Sequence, residues 1–180
     1  MAIDVENVVL IVGDAVRYDY SCDLLSELGQ THKSVSASLH TAPSFASIFT
    51  GQHVPNHNSG TFHTTIDDSI NKISDLDNHT VGSPDSGMNK QIQWLLNDVR
   101  TQDLGDMHPP FIWTVRTGGG HSPYNNYNYK EFKADIGAGE YFDKAAGDAK
   151  LMRSDYRSAL EKEVDYIKSV QEELEERGIL

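Results

Sequence analysis

Apolar positions fall into buried runs and helical stripes along the chain. Asn7-Val-Val-Leu-Ile-Val-Gly13 is apolar without alternation and rich in β-branched residues, which predicts a strand buried on both faces of a parallel sheet. Val16, Tyr20, Leu24, Leu25 and Leu28 then recur at helical spacing, with Gly29 as the C-cap. Lys33 to Leu39 carries Val35, Ala37 and Leu39 at alternate positions and predicts a half-buried second strand. Thr41-Ala-Pro43 leads into a helix over Ser44 to Thr50, with Pro43 in its first turn and Gly51 past its end. Gln52 to Gly87 is polar and reads as loop, with a short helix near Ile70 to Leu76 and a short strand at Thr80-Val81-Gly82.

Met88, Ile92, Leu95, Leu96 and Val99 share one helical face, and Phe111-Ile-Trp-Thr-Val115 predicts another buried strand. Gly118 to Gly120 then delivers His121, and a Tyr/Asn-rich loop follows. From about Tyr141 to Arg177 no proline interrupts a stripe of Leu151, Tyr156, Leu160, Val164, Ile167, Val170 and Leu174, and Gly178 caps it. Strands alternating with helices predict an α/β fold, a mostly parallel sheet flanked by helices, with 1–180 as one domain. A helix this long should return the chain to a further strand, so the domain is expected to lack its later strands.

Composition narrows the function classes. With 27 acidic against 15 basic residues the net charge is −12. That charge repels phosphate backbones and no basic stripe offsets it, so no nucleic-acid partner is expected. It is compatible with a hydrated surface suited to salty cytoplasm, or with a merely acidic protein. The longest apolar run, Val8 to Val12, is far below the roughly 20 residues that cross a bilayer, and no export signal opens the chain. A cytoplasmic location with no membrane partner is the expectation. The lone Cys22 excludes an internal disulfide and a cysteine-based zinc site.

Candidate chemistry gathers at the predicted strand ends, where open α/β sheets bind ligands. Asp14 directly follows the first strand; its carboxylate suits a hard cation, or the cap of the next helix. Arg17 and Asp19 either pair with each other or line the same edge. Thr41 stands at a helix start that favours anions, as a nucleophile or as a cap. His121 follows the glycine run. Asp, Thr and His at three strand ends supply a cation ligand, a nucleophile and a proton donor, the set metal-assisted ester hydrolysis needs. The glycine run is no GxGxxG fingerprint, which argues against a dinucleotide site.

Asn7-Val-Val-Leu-Ile-Val-Gly-Asp-Ala-Val-Arg-Tyr-Asp19 resembles the opening of sulfatases and their relatives in the alkaline phosphatase superfamily. Thr41-Ala-Pro-Ser-Phe-Ala-Ser-Ile-Phe-Thr-Gly51 resembles the family's nucleophile segment, and Pro55-Asn-His57 the histidine that follows it. Pro110-Phe-Ile-Trp-Thr-Val and His121-Ser-Pro-Tyr124 resemble its strand and His-x-Pro-Tyr loop, and Tyr156 to Leu180 the long helix ahead of its remaining metal ligands. The resemblance implies a divalent metal (Ca, Mg, Mn or Zn) on Asp14 and Thr41. It further implies Thr41 and His121 as catalytic residues, and His57 and Arg17 as contacts to a small-molecule sulfate or phosphate ester. Ala15 replaces a second acidic ligand, Phe45 replaces an arginine, and threonine cannot mature to formylglycine; a threonine nucleophile instead resembles the phosphodiesterase and phosphonate-hydrolase branches. The expectation is a metal-dependent hydrolase of such esters. The alternative is a truncated, inactive family member acting as a binding module, whose uncovered sheet predicts self-association.

Overall fold

A computed structural model describes residues 6–61, 63–82, 87–97, 99–124, 127–128, 133–134 and 136–180. The fold is α/β, and among the described residues its main sheet has three strands in the order β1-β3-β2: β1 is Asn7–Gly13, β2 His79–Val81 and β3 Phe111–Thr117. β2 and β3 run parallel, Thr80 opposite Trp113. β3 is central and buried along nearly its whole length, as its continuous apolar run predicts. β1 corrects the expectation made for it. It is an edge strand, half-buried throughout, with Val8 exposed.

Contacts divide the chain into two compact units, whose boundary crosses β1 and β3. The first, Met1–Leu10 with Ser34–Val115, contains α2 (Thr41–Thr50), α3 (Val54–His57), β2 and α4 (Gly87–Leu96). Gly51 ends α2 in the left-handed region at φ 66°, where the missing side chain removes the steric cost. Phe45, Ala46 and Phe49 face the core of this unit with Ile92, Leu95 and Leu96 of α4. Phe45 is therefore a packing residue. α4 stops at Leu96 because Asn97 turns left-handed at φ 48°, short of the predicted Val99; the side chain of Met88 lies outside the described residues. The expected helix near Ile70 to Leu76 is one 3-10 turn, Ile73–Asp75, its entry tied by Asp75 accepting from the Lys72 amide at 2.8 Å.

No strand forms over Lys33 to Leu39. Val35 and Leu39 are almost fully exposed, so the alternation there has no core face. Serines supply the competing structure: Ser36 and Ser44 hydroxyls both donate to the Ser38 carbonyl, at 2.7 and 3.0 Å, holding the backbone in a local turn.

The second unit, Ile11–Lys33 with Arg116–Leu180, contains α1 (Tyr18–Leu25), α5 (Ala138–Ala145) and α6 (Ala149–Glu176). The predicted single helix from Tyr141 is two. Gly147 at φ 83° breaks it, and Asp148 restarts it by accepting from the Lys150 and Leu151 amides. Tyr156, Leu160, Val164, Val170 and Leu174 form the buried stripe of α6, whereas Leu151 is exposed. α1 ends at Leu25 with Ser26 as its C-cap, a turn earlier than Gly29 would have it. Arg157 ties α6 to α1, pairing with Asp23 and donating to the Tyr20 carbonyl at 2.8 Å. The Tyr/Asn-rich segment carries a two-strand ladder, β4 (Tyr127–Asn128) with β5 (Lys133–Ala134); its other residues from Asn125 to Lys130 lie outside the described residues. No helix among the described residues is long and apolar enough to cross a membrane.

In the first unit His79 is buried, with Phe49 packed edge-on against its ring and Nε2 3.2 Å from the Thr114 hydroxyl. Its Nδ1 has no hydrogen-bond partner among the described residues. Burial, helped by the charge of Arg100, pushes its pKa down from 6.5 to about 4. The folded chain therefore holds His79 neutral where the unfolded chain protonates it. Its contribution to stability is complete above pH 6.5 and falls as the pH drops toward 4. Glu163, whose pKa burial raises, changes stability with the opposite sign, so a comparison of variants is needed to isolate the histidine. Between about pH 7 and pH 4.5, denaturant unfolding of the natural chain should lose about 2 kcal/mol more than His79→Gln does. Equal losses would show that His79 is not the titrating group.

Candidate functional site

In the second unit two loops leave the ends of β1 and β3 in backbone contact. The Asp14 amide donates to the Thr117 carbonyl at 3.2 Å, and the Gly120 amide donates to the Asp14 carbonyl at 2.7 Å. Glycine is required because the approach leaves no room for a side chain. A Cβ on Gly119 would lie 2.5 Å from the Asp14 carbonyl oxygen, at a φ of 49° that L residues rarely adopt. A Cβ on Gly120 would lie 2.6 Å from the Ala15 carbonyl oxygen. The glycine run is therefore a packing device that positions Asp14 and His121, not a phosphate cradle.

Side chains lock this junction. Arg116 of β3, 3% exposed, forms an ion pair with the Asp14 carboxylate. Asp14 does not cap α1, whose N-cap is Arg17. Glu163 of α6 accepts from the Thr117 hydroxyl and, at 3.2 Å, from the Gly119 amide. Burial raises its pKa, and these two donors oppose the shift. The Tyr156 hydroxyl donates to the Ala15 carbonyl and accepts from the Arg17 amide, both at 2.8 Å. Arg17 and Asp19 pair with each other through two hydrogen bonds.

His121 is half-buried after the glycine run. Its Nδ1 lies 2.6 Å from the Ser122 carbonyl oxygen, which can only accept, so Nδ1 carries the proton. In this tautomer the second ring nitrogen, Nε2, carries the lone pair.

The remaining candidates belong to the first unit. Thr41 is the first residue of α2, half-buried, one position past the N-cap His40, so its hydroxyl is not the helix cap. It sits in the turn where helix amides carry partial positive charge. His57 is buried, and both its ring nitrogens are engaged. The Ser59 amide donates to Nδ1 at 3.1 Å, which leaves the proton on Nε2 to be donated to the Ser47 hydroxyl at 2.9 Å. Burial lowers its pKa, which suits the neutral ring that this pattern requires.

The metal expectation can be tested on donor chemistry. Calcium takes about six to eight oxygen ligands and zinc about four ligands. Asp14 already answers a guanidinium charge, and among the described residues no three His, Cys, Asp or Glu side chains gather. Among the described residues this donor set does not by itself fit a divalent ion.

Arg116, Glu163 and Tyr156 organise the junction, yet none was singled out from the sequence as chemistry. Two carried a signal. Arg116 is a lone charge directly after a buried apolar run, and Glu163 falls on the apolar stripe of α6, seven residues after Tyr156.

No family model matches the chain, and no solved structure matches it. Among curated proteins it is similar to "Low-salt glycan biosynthesis sulfotransferase Agl7" of Haloferax volcanii, at 27% identity over 186 residues. The match covers 97% of this chain and 43% of that protein, so the chain spans less than half the length of this relative. The likeness connects the chain with sulfate-related enzymes. It corrects the sulfatase and hydrolase reading, because the named relative transfers a sulfo group.

The close approach at the junction sets the cost of adding a single carbon. Gly119→Ala and Gly120→Ala should each lower unfolding stability by about 2–4 kcal/mol, from overpacking and, at Gly119, the left-handed backbone. Gly139→Ala, in open space within α5, should be neutral or gain up to about 1 kcal/mol. Chemical denaturation of the three variants checks the ranking.

Proposed function

We propose that this chain carries part of the reaction centre of an enzyme that moves a sulfo group from a sulfate-ester donor to an acceptor hydroxyl, with sugar hydroxyls as the acceptor class. The observation behind this reading is the likeness to a glycan-biosynthesis sulfotransferase along 97% of the chain.

Transfer forms a bond from the acceptor oxygen to sulfur, breaks the sulfur–oxygen bond of the donor, and moves the acceptor's proton to the leaving oxygen. Thr41 is assigned as carrier in a double displacement. Its oxygen bonds to the donor sulfur while the donor oxygen leaves with the Thr41 proton, and the acceptor oxygen then displaces Thr41, which takes back the acceptor's proton, with oxyanion charge favoured by the α2 N-terminus. His121 is assigned separately, as a proton-handling residue of the second unit. Arg17 supplies charge for the sulfate oxygens. Asp14 and His57 are positioning residues, the first holding Arg116 at the junction and the second holding Ser47 within the α2–α3 segment. The ligand on this reading is a small sulfate ester.

The test is a transfer assay with an aryl sulfate donor and a panel of monosaccharides, following the sulfated sugar and free sulfate by mass spectrometry. His121→Ala and Thr41→Ala should each cut transfer by about a hundredfold or more, with Thr41→Ser retaining activity. A sulfo adduct on the Thr41 peptide should accumulate when acceptor is omitted. Free sulfate released at the same rate with and without acceptor would overturn the reading, as would equal rates for the natural chain and both alanine variants.

A further inference from the structure

The second unit contains a cleft of about 330 Å³ lined by Arg17, Tyr20, Tyr124, Met152, Arg153 and Tyr156. Its wall is aromatic. Tyr156 is the buried centre, with Tyr20 edge-on at 5.3 Å and Tyr124 edge-on at 5.2 Å, and these two rings are half-buried. Tyr124 is braced from behind by Tyr141 and Phe142 at 5.5 and 6.2 Å. Tyr141 is itself fixed by donating to Asp155 at 3.0 Å. The wall is thus a preorganised set of ring surfaces, and Met152 beside it adapts to different shapes.

Arg153 brings a positive charge to this cleft in a chain of net charge −12. Asp19 answers the Arg17 guanidinium, which also lies over the Tyr20 ring at 5.0 Å. Arg153 is exposed and has no ion pair among the described residues. An inorganic anion would satisfy Arg153 and leave the tyrosine wall in water. A neutral ring would cover the wall and leave the guanidinium unanswered. A volume near the lower end of small-ligand pockets accommodates one ligand that does both.

We propose that this cleft binds a planar aromatic ring carrying a sulfate or phosphate group, the ring against Tyr20 and Tyr124 and the oxyanion on Arg153. The proposal rests on this cleft alone and does not depend on turnover.

Calorimetric titration of the full chain with 2-naphthyl sulfate, 2-naphthyl phosphate, inorganic sulfate and 2-naphthol tests it. Either naphthyl ester should bind at least tenfold more tightly than inorganic sulfate or naphthol, and the ratio between the two esters identifies the preferred oxyanion. Arg153→Ala, a surface change that leaves the fold intact, should weaken ester binding at least fivefold, with Arg153→Lys intermediate. Tyr124→Leu should weaken the esters and leave inorganic sulfate unchanged, its fold checked by cooperative unfolding. The proposal is overturned if naphthol binds as tightly as the esters, if sulfate alone does, if Arg153→Ala changes nothing, or if no ester binding saturates at millimolar concentration.

Discussion

The close approach of the Gly119–Gly120 backbone to the Asp14 turn is the constraint on which the second unit depends. Two strand ends usually meet through side chains, which can repack. Here they meet through peptide groups, and the contact tolerates no Cβ at Gly119 or Gly120. The geometry it enforces is reused by every neighbour. It presents the Gly119 amide to Glu163, the Asp14 carboxylate to Arg116 and the Ala15 carbonyl to Tyr156. The loop that follows then carries His121 away with its Nδ1 proton fixed on Ser122.

The charges at this junction are arranged by burial as much as by attraction. Arg116 and Glu163 are each almost fully buried, yet they are served differently. Arg116 has a carboxylate, whereas Glu163 has a hydroxyl and a peptide amide. Removing one partner of a buried ion pair strands the other and costs several kcal/mol, so Asp14 and Arg116 are bound to each other as a unit. Glu163 has a second route open to it. Its donors are neutral and its pKa is raised, so it can relieve its desolvation by taking up a proton. The junction thus holds one fixed charge pair and one carboxyl whose charge can change.

The strength of a sequence signal followed how local its cause was. The apolar run of β3, the α2 segment closed by Gly51 and the stripe of α6 were legible because period and capping residues act within one element. Lys33 to Leu39 misled because alternation marks a strand only where a core face exists to receive it, and Val35 and Leu39 have none. The glycine run was noticed for what it lacks as a nucleotide motif. Its reason is the Asp14 backbone more than a hundred residues earlier, which no local pattern records. Glu163 was hidden the same way: on a helix crowded with charge, only its place on the buried stripe separates it from its solvated neighbours.

The same locality explains why sequence motifs can point to sulfate-related chemistry without giving its direction. Attack on a sulfate ester by water and attack by an alcohol form and break the same bonds at sulfur and need the same proton acceptor. A histidine with one ring nitrogen fixed by a carbonyl can serve either reaction. Hydrolysis and transfer differ only in which hydroxyl occupies the attacking position, and that is decided by surfaces that bind the acceptor and exclude water. Such surfaces leave no short motif, because many combinations of ring and hydrogen-bonding side chains recognise a sugar. In the proposed reaction the strand-end residues act at the bond that is broken, and the attacking oxygen is selected by other surfaces.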